Sequence, residues 1–220
     1  MIEAEKITIL NNDWLTVVFF IILTILTVEK FLFSNKLVVT STFFLKKNNL
    51  ISLFNREKNT FFNLFLFLFY IIQILTVSVI LYYIVEVFQL KTIYKGVELY
   101  FILTIGTALY FLFRFLLGSF LAFIFEIKKG YKKVSFEKIN YLNNAVIWIL
   151  PFLLISSYSN ISHSILINIT LIIFSILLIM RYILLIVNNK SLIVNNLFYF
   201  ILYLCALEIS PFVIILKLTI

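Results

Sequence analysis

The chain holds one cysteine, one histidine, two prolines and four glycines in 220 residues. A single cysteine, Cys205, excludes an intrachain disulfide, and a single histidine, His163, argues against a histidine-rich metal site. There is no Walker loop, no nucleophile elbow, no HExxH and no close-set acidic cluster suited to a divalent cation. No catalytic residue, cofactor or metal is therefore expected. Charge is scarce too: 13% of residues are charged, against about a quarter in soluble domains. Few glycines, alanines and prolines beside 26 phenylalanines follow the bias of AT-rich coding sequence. Phenylalanine clusters are accordingly not read as functional.

What remains is apolar. Hydrophobic residues make up 63% of the chain and mean hydropathy is +1.12. The apolar runs reach the length needed to cross a bilayer core of about 30 Å. The sequence predicts an all-α, polytopic transmembrane helical bundle forming a single integral-membrane domain over 1–220. About six spans are expected, at 14–33, 61–88, 97–125, 139–158, 165–187 and 194–218. The fourth is the least regular, because its strongly apolar part "AVIWILPFLLI" is short and Asn143 and Asn144 flank it. The opening "MIEAEKITILNNDW" is mildly acidic, without a basic n-region or a small-residue cleavage site, which predicts no cleavable leader.

The net charge of +8 is read as the positive-inside bias of membrane loops, not as a nucleic-acid footprint. The first-to-second connection and its flanks carry six Lys and Arg, the third-to-fourth region six and the fifth-to-sixth two. That places fourteen on one side against four on the other. The first side is expected to be cytoplasmic, with both termini periplasmic, in a bacterial inner membrane. The basic loop 34–60 contains "FFLKKNNLISLFNREKN", which fits either a helix lying on an anionic leaflet or an ordinary linker. The run "KKGYKK" reads as a topology signal.

Ionisable groups inside spans need a partner, water or a task. At 1.5 Å per residue, Glu29, Arg114 and Arg181 each lie about 22 to 27 Å from the outer end of their helix. They share one layer, where Glu29 could pair with either arginine or each could snorkel separately to the inner surface. Arg114, Gly118, Ala122 and Glu126 recur at four-residue spacing and form one stripe. Gly118 and Ala122 are a small-xxx-small pair that lets another helix approach, so packing is the plain reading of that stripe.

Glu208 interrupts the apolar stretch "YFILYLCALEISP". Cys205, Glu208 and Pro211 fall on one helix face, beside a stripe of Tyr199, Tyr203, Ala206 and Ser210. Pro211 cannot donate to the carbonyl of Leu207, which leaves a backbone acceptor next to the carboxylate. Such a group can hold helices together, carry a proton or bind a cation, or dock a partner. Pro151, the other proline, interrupts the fourth span without a counterpart in a second repeat, so it is a weak transporter signal.

The run "LYLCALEISP", with Arg181 about twenty residues before it and Asn144 followed by Pro151, resembles a Bacteroidota inner-membrane family described as domain of unknown function 4271. The resemblance implies a multi-pass inner-membrane protein and supplies no activity, substrate or cofactor. It marks Glu208, Pro211, Cys205, Tyr203, Arg181 and Asn144 as positions to test, and the residues alone add Ser210, Arg114 and Glu29. The expected role is a non-enzymatic subunit or scaffold working through other envelope proteins. Its partners would be the bilayer and a membrane protein or a second copy of the chain, with no nucleic acid. The alternative is a small proton-linked transporter or channel using Glu208 with Tyr203 and Ser210.

Overall fold

Five long helices carry the described part of the chain. The computed structural model describes residues 13–42, 64–90, 93–159 and 163–190. The helices are α1 (Asp13–Ser41), α2 (Leu64–Val87), α3 (Val97–Ile124), α4 (Lys128–Tyr158) and α5 (His163–Asn188). No strand occurs among the described residues. All five helices are long and apolar enough to cross a membrane, as expected of chains whose backbone polar groups must be satisfied internally in lipid. The expected sixth span, 194–218, lies outside the described residues, and with it Tyr203, Cys205, Glu208, Ser210 and Pro211.

Two boundaries differ from the sequence reading. The loop expected at 34–60 begins as helix, because α1 continues to Ser41. The expected end at Phe33 is instead a kink, where φ −137° and ψ 41° leave helical geometry. In addition, α4 starts at Lys128 rather than at 139, so "KKGYKK" forms its first turns. The helix also runs through Pro151 to Tyr158, although proline removes the bond to the carbonyl of Ile147.

Neighbouring helices alternate in direction. Phe33 stacks on Phe65 and Trp14 on Tyr82, so α1 and α2 are antiparallel. Tyr70 meets Phe111, and the Ser78 and Thr107 hydroxyls are 2.8 Å apart, which sets α3 antiparallel to α2. Arg181 bonds Lys138 and, two turns later, Asn189 bonds Glu137, so the last part of α5 lies against the first half of α4 and the two run antiparallel. The bundle therefore has a basic end, where α1 and α5 finish, α2 starts and α3 passes into α4. The far end holds Trp14, Tyr82, Tyr83 and Tyr100 in one aromatic cluster, the kind of belt found at membrane interfaces.

The buried positions keep a spacing of three and four. In α1 the inward set is Leu15, Phe19, Ile22 and Glu29, and in α2 it is Phe65, Phe69, Ile72, Thr76, Val79 and Tyr83. In α4 the stretch from Asn140 to Val146 is buried all round, and the spacing returns only beyond it, at Ile149, Leu153 and Ser156. A three-and-four spacing of inward residues is what membrane helix bundles use to pack. In α4, 61% of the apolar stretch is buried, against 17% in α3. The most enclosed helix is thus the one that looked least like a span.

With few glycines, the chain ends two helices by backbone geometry on other residues. Ile127 N–H bonds to Ala122 O at 3.1 Å, and Leu90 N–H to Val85 O at 3.1 Å. Between them and the helix ends, Glu126 and Gln89 hold φ of 55° and 47°. Both are Schellman-type closures, in which glycine is the usual left-handed residue.

Candidate functional site

The polar side chains inside the bundle concentrate toward the basic end, and α4 is their hub. Asn144 Nδ2 donates to the Thr40 carbonyl at 2.5 Å, and Trp148 Nε1 to the Ser41 carbonyl at 3.2 Å, which ties α4 to α1. Gln73 Nε2 on α2 donates to Asn143 Oδ1 and lies 3.4 Å from the Ile139 carbonyl. On the α5 side, Arg181 Nη2 donates to the Lys138 carbonyl at 3.2 Å. Asn188 Nδ2 donates to Tyr141 Oη at 2.7 Å, and Asn189 Nδ2 to Glu137 Oε2 at 2.6 Å. Glu137 is also 4.0 Å from Lys133 Nζ. Interhelical bonds of this kind each contribute about 0.6 to 1 kcal/mol in membrane bundles.

A cleft of about 580 Å³ opens beside these ties, between α2, α3 and α4. From α2 it is lined by Leu66, Phe67, Tyr70 and Gln73, and from α3 by Phe111, Leu112, Arg114 and Phe115. The α4 wall includes Tyr131, Ser135, Lys138 and Leu142, and Arg181 reaches in from α5. The small pair on α3 explains how α4 comes so close. Gly118 and Ala122 are buried, and a Cβ at Gly118 would collide with the Tyr131 hydroxyl and lie 3.0 Å from its ring. The stripe thus receives an aromatic side chain of α4 and holds it at the cleft, where Tyr131 Oη is 3.4 Å from the Phe115 carbonyl.

The expected pairing of Glu29 with an arginine is not formed. Glu29 is fully buried, and neither carboxyl oxygen has a hydrogen-bond partner among the described residues. Arg181 instead bonds the backbone of Lys138, and Arg114 faces the cleft. The reason is rotational: Glu29 continues the stripe of Leu15, Phe19 and Ile22 that packs into the apolar core, whereas both arginines belong to the side of the bundle that holds the cleft.

Of the residues singled out from the sequence, Arg114 and Arg181 share the cleft, Asn144 lies in the hub with its partner on α1, and Glu29 stands apart. Glu126, at the end of the α3 stripe, is exposed in the turn. Gln73, Tyr131, Glu137, Lys138, Asn188 and Asn189 were not anticipated. Gln73 had a usable signal: it is the lone amide in the apolar run of α2, three residues before Thr76. Lys138 was counted as a loop charge, yet it is only 7% exposed. Among the described residues, no group of His, Cys, Asp and Glu is arranged to hold a metal ion.

No curated protein and no solved structure matches the chain. One family model does, over residues 15–219, and the "LYLCALEISP" run that carried the resemblance falls within that match. The chain belongs to the family described as domain of unknown function 4271 (DUF4271).

Proposed function

We propose that the protein is a non-enzymatic, multi-pass subunit or scaffold of a bacterial inner membrane, acting through contacts with other envelope proteins. In this reading the basic end is cytoplasmic and the far end periplasmic. The observation that carries it is the contrast between α4 and α3. The first is tied by side-chain hydrogen bonds to α1, α2 and α5, which makes a frame. The second turns Phe101, Leu109, Phe113, Leu116 and Phe120 outward along its length. A hydrogen-bonded frame whose outer helices, α3 among them, keep apolar faces open among the described residues suits lateral association.

The test is purification from native membranes in mild detergent, with mass spectrometry of stoichiometric companions. A reproducible companion that is lost on Phe113→Ala with Phe120→Ala, while the protein stays folded, is the expected result. A monodisperse chain without companions sinks the reading.

One observation favours the proton-linked alternative. Glu208, the residue expected to serve it, lies outside the described residues, but Glu29 is a buried carboxyl with no bonded oxygen among them. A carboxyl in an apolar interior without such a partner is the group a proton carrier needs. Glu29→Gln in reconstituted vesicles tests this: unchanged proton flux eliminates Glu29 as the carrier.

A further inference from the structure

The described residues stop at Lys190, at the basic end, and the expected sixth span begins at Val194. The family match runs on to residue 219, so that span belongs to the same domain as the five helices. Four residue steps from Lys190 to Val194 reach about 14 Å when fully extended. Packed helices lie about 8–10 Å apart, and a position one helix further away, at about 16–20 Å, is out of reach. A span joined by so short a link runs beside α5 and antiparallel to it.

One side of α5 is already taken. Ile167, Arg181, Leu185 and Asn189 are buried against the bundle, and the end of the helix is bonded to Tyr141 and Glu137 of α4. The opposite side is open among the described residues. Ile165, Ile169, Ile172, Ile176, Ile179 and Ile183 follow one another there in steps of four and three, and each is 44–59% exposed. That is the period of two packed helices, set with β-branched side chains. Exposed Ser175 lies on the same side. The stripe by itself would suit acyl chains as well; the short link is what brings a helix to it.

We propose that residues 194–218 lie antiparallel along this open side of α5, with the face of Cys205 and Glu208 on Ile172, Ser175, Ile176 and Ile179. Counted at about 1.5 Å per residue from Val194 up one helix and from Asn188 back along the other, Cys205 stands level with Leu177, between Ile176 and Ile179. By the same count Glu208 stands level with Phe174, next to Ser175. The Ser175 hydroxyl is 2.8 Å from the Leu171 carbonyl, and a hydroxyl that donates to its own helix keeps lone pairs for a second donor. A protonated Glu208 supplies that donor, so its carboxyl holds two helices together.

The single native cysteine makes the test direct. Ile176→Cys and Ile179→Cys are introduced one at a time into the full chain, and native membranes are oxidised with copper phenanthroline in air. Chains are then denatured, sized without reductant, and their free thiols counted with a maleimide. Both variants should form a disulfide between the new cysteine and Cys205, seen as monomer-sized chains that have lost two thiols. Adding Cys205→Ser should abolish it. Leu178→Cys, near the same level but half-buried toward the bundle, should stay reduced.

Three outcomes would overturn the proposal. No intrachain link in either Ile176→Cys or Ile179→Cys, with both chains inserted at normal levels, would put the sixth span on another face. A covalent dimer in place of the intrachain link would give the stripe to a second copy of the chain. Linking of Leu178→Cys as readily as Ile179→Cys would remove the preference for the open side.

Discussion

The two ends of the bundle are held by different chemistry. Toward the far end, cross-helix polar contacts of the described side chains come from hydroxyls: Ser78 with Thr107, Tyr83 with Ser157, and Tyr100 Oη, 3.4 Å from the Leu75 carbonyl. Acceptors on their own helix are also in reach: Ile74 O for Ser78, Thr104 O for Thr107 and Leu153 O for Ser157, and of Ser78 and Thr107 one donates across while the other donates to its own helix. Toward the basic end the contacts are made by amides and charged groups, Gln73, Asn143, Asn144, Asn188 and Arg181. A hydroxyl satisfied on its own helix loses little when a neighbour leaves. A buried side-chain amide that reaches across is left with an unpaired group, which costs more. The far end is thus specified by shape, and the basic end by partner identity.

Three comparisons would sharpen or break that contrast. Phe19→Ala, in the apolar core toward the far end, should cost about 3 kcal/mol through the cavity it leaves, read by unfolding in mixed micelles. A loss below about 1 kcal/mol would mean that packing does not specify this end. Gln73→Leu should cost about 1 kcal/mol, because Asn143 Oδ1 loses its donor. Adding Asn143→Leu should restore part of that loss, since both partners are then apolar; a double variant no more stable than the single one removes the role given to the pair. The smallest effect is expected for Thr107→Val, about 0.3 kcal/mol, because Ser78 keeps its bond to Ile74. A cost equal to that of Gln73→Leu would erase the distinction between the two ends.

That the described chain forms helices long and apolar enough to cross a membrane was legible in the sequence, because hydrophobic length is what a membrane demands. Which way each helix faces was not. Lipid is as apolar as the core, so Phe19 and Phe20 look alike in sequence although one is 2% and the other 67% exposed. Only polar residues break that symmetry. Glu29, Thr40, Gln73, Thr76, Thr170 and Arg181 are all buried, and together they mark the inward stripe of their helices. Arg114 and Arg181 were legible as in-membrane charges. Their meeting place was not, since it depends on Gly118 admitting Tyr131 and on Lys138 lying inside the bundle rather than in a loop. The α4 boundary was misjudged for the same reason. A helix enclosed by protein can carry Asn140, Asn143 and Asn144, which a lipid-facing helix could not.

The distribution of indole rings gives this protein an internal pair of optical reporters. Of its two tryptophans, Trp14 stacks against Tyr82 and Tyr100 at 5.1 and 5.0 Å in the aromatic cluster. Trp148 is half exposed and donates to the Ser41 carbonyl. Replacing either one by phenylalanine leaves a single fluorophore, so the emission of each variant follows one end of the bundle. Cooperative unfolding gives two coincident transitions, and independent opening of the basic end shifts the Trp148 signal first.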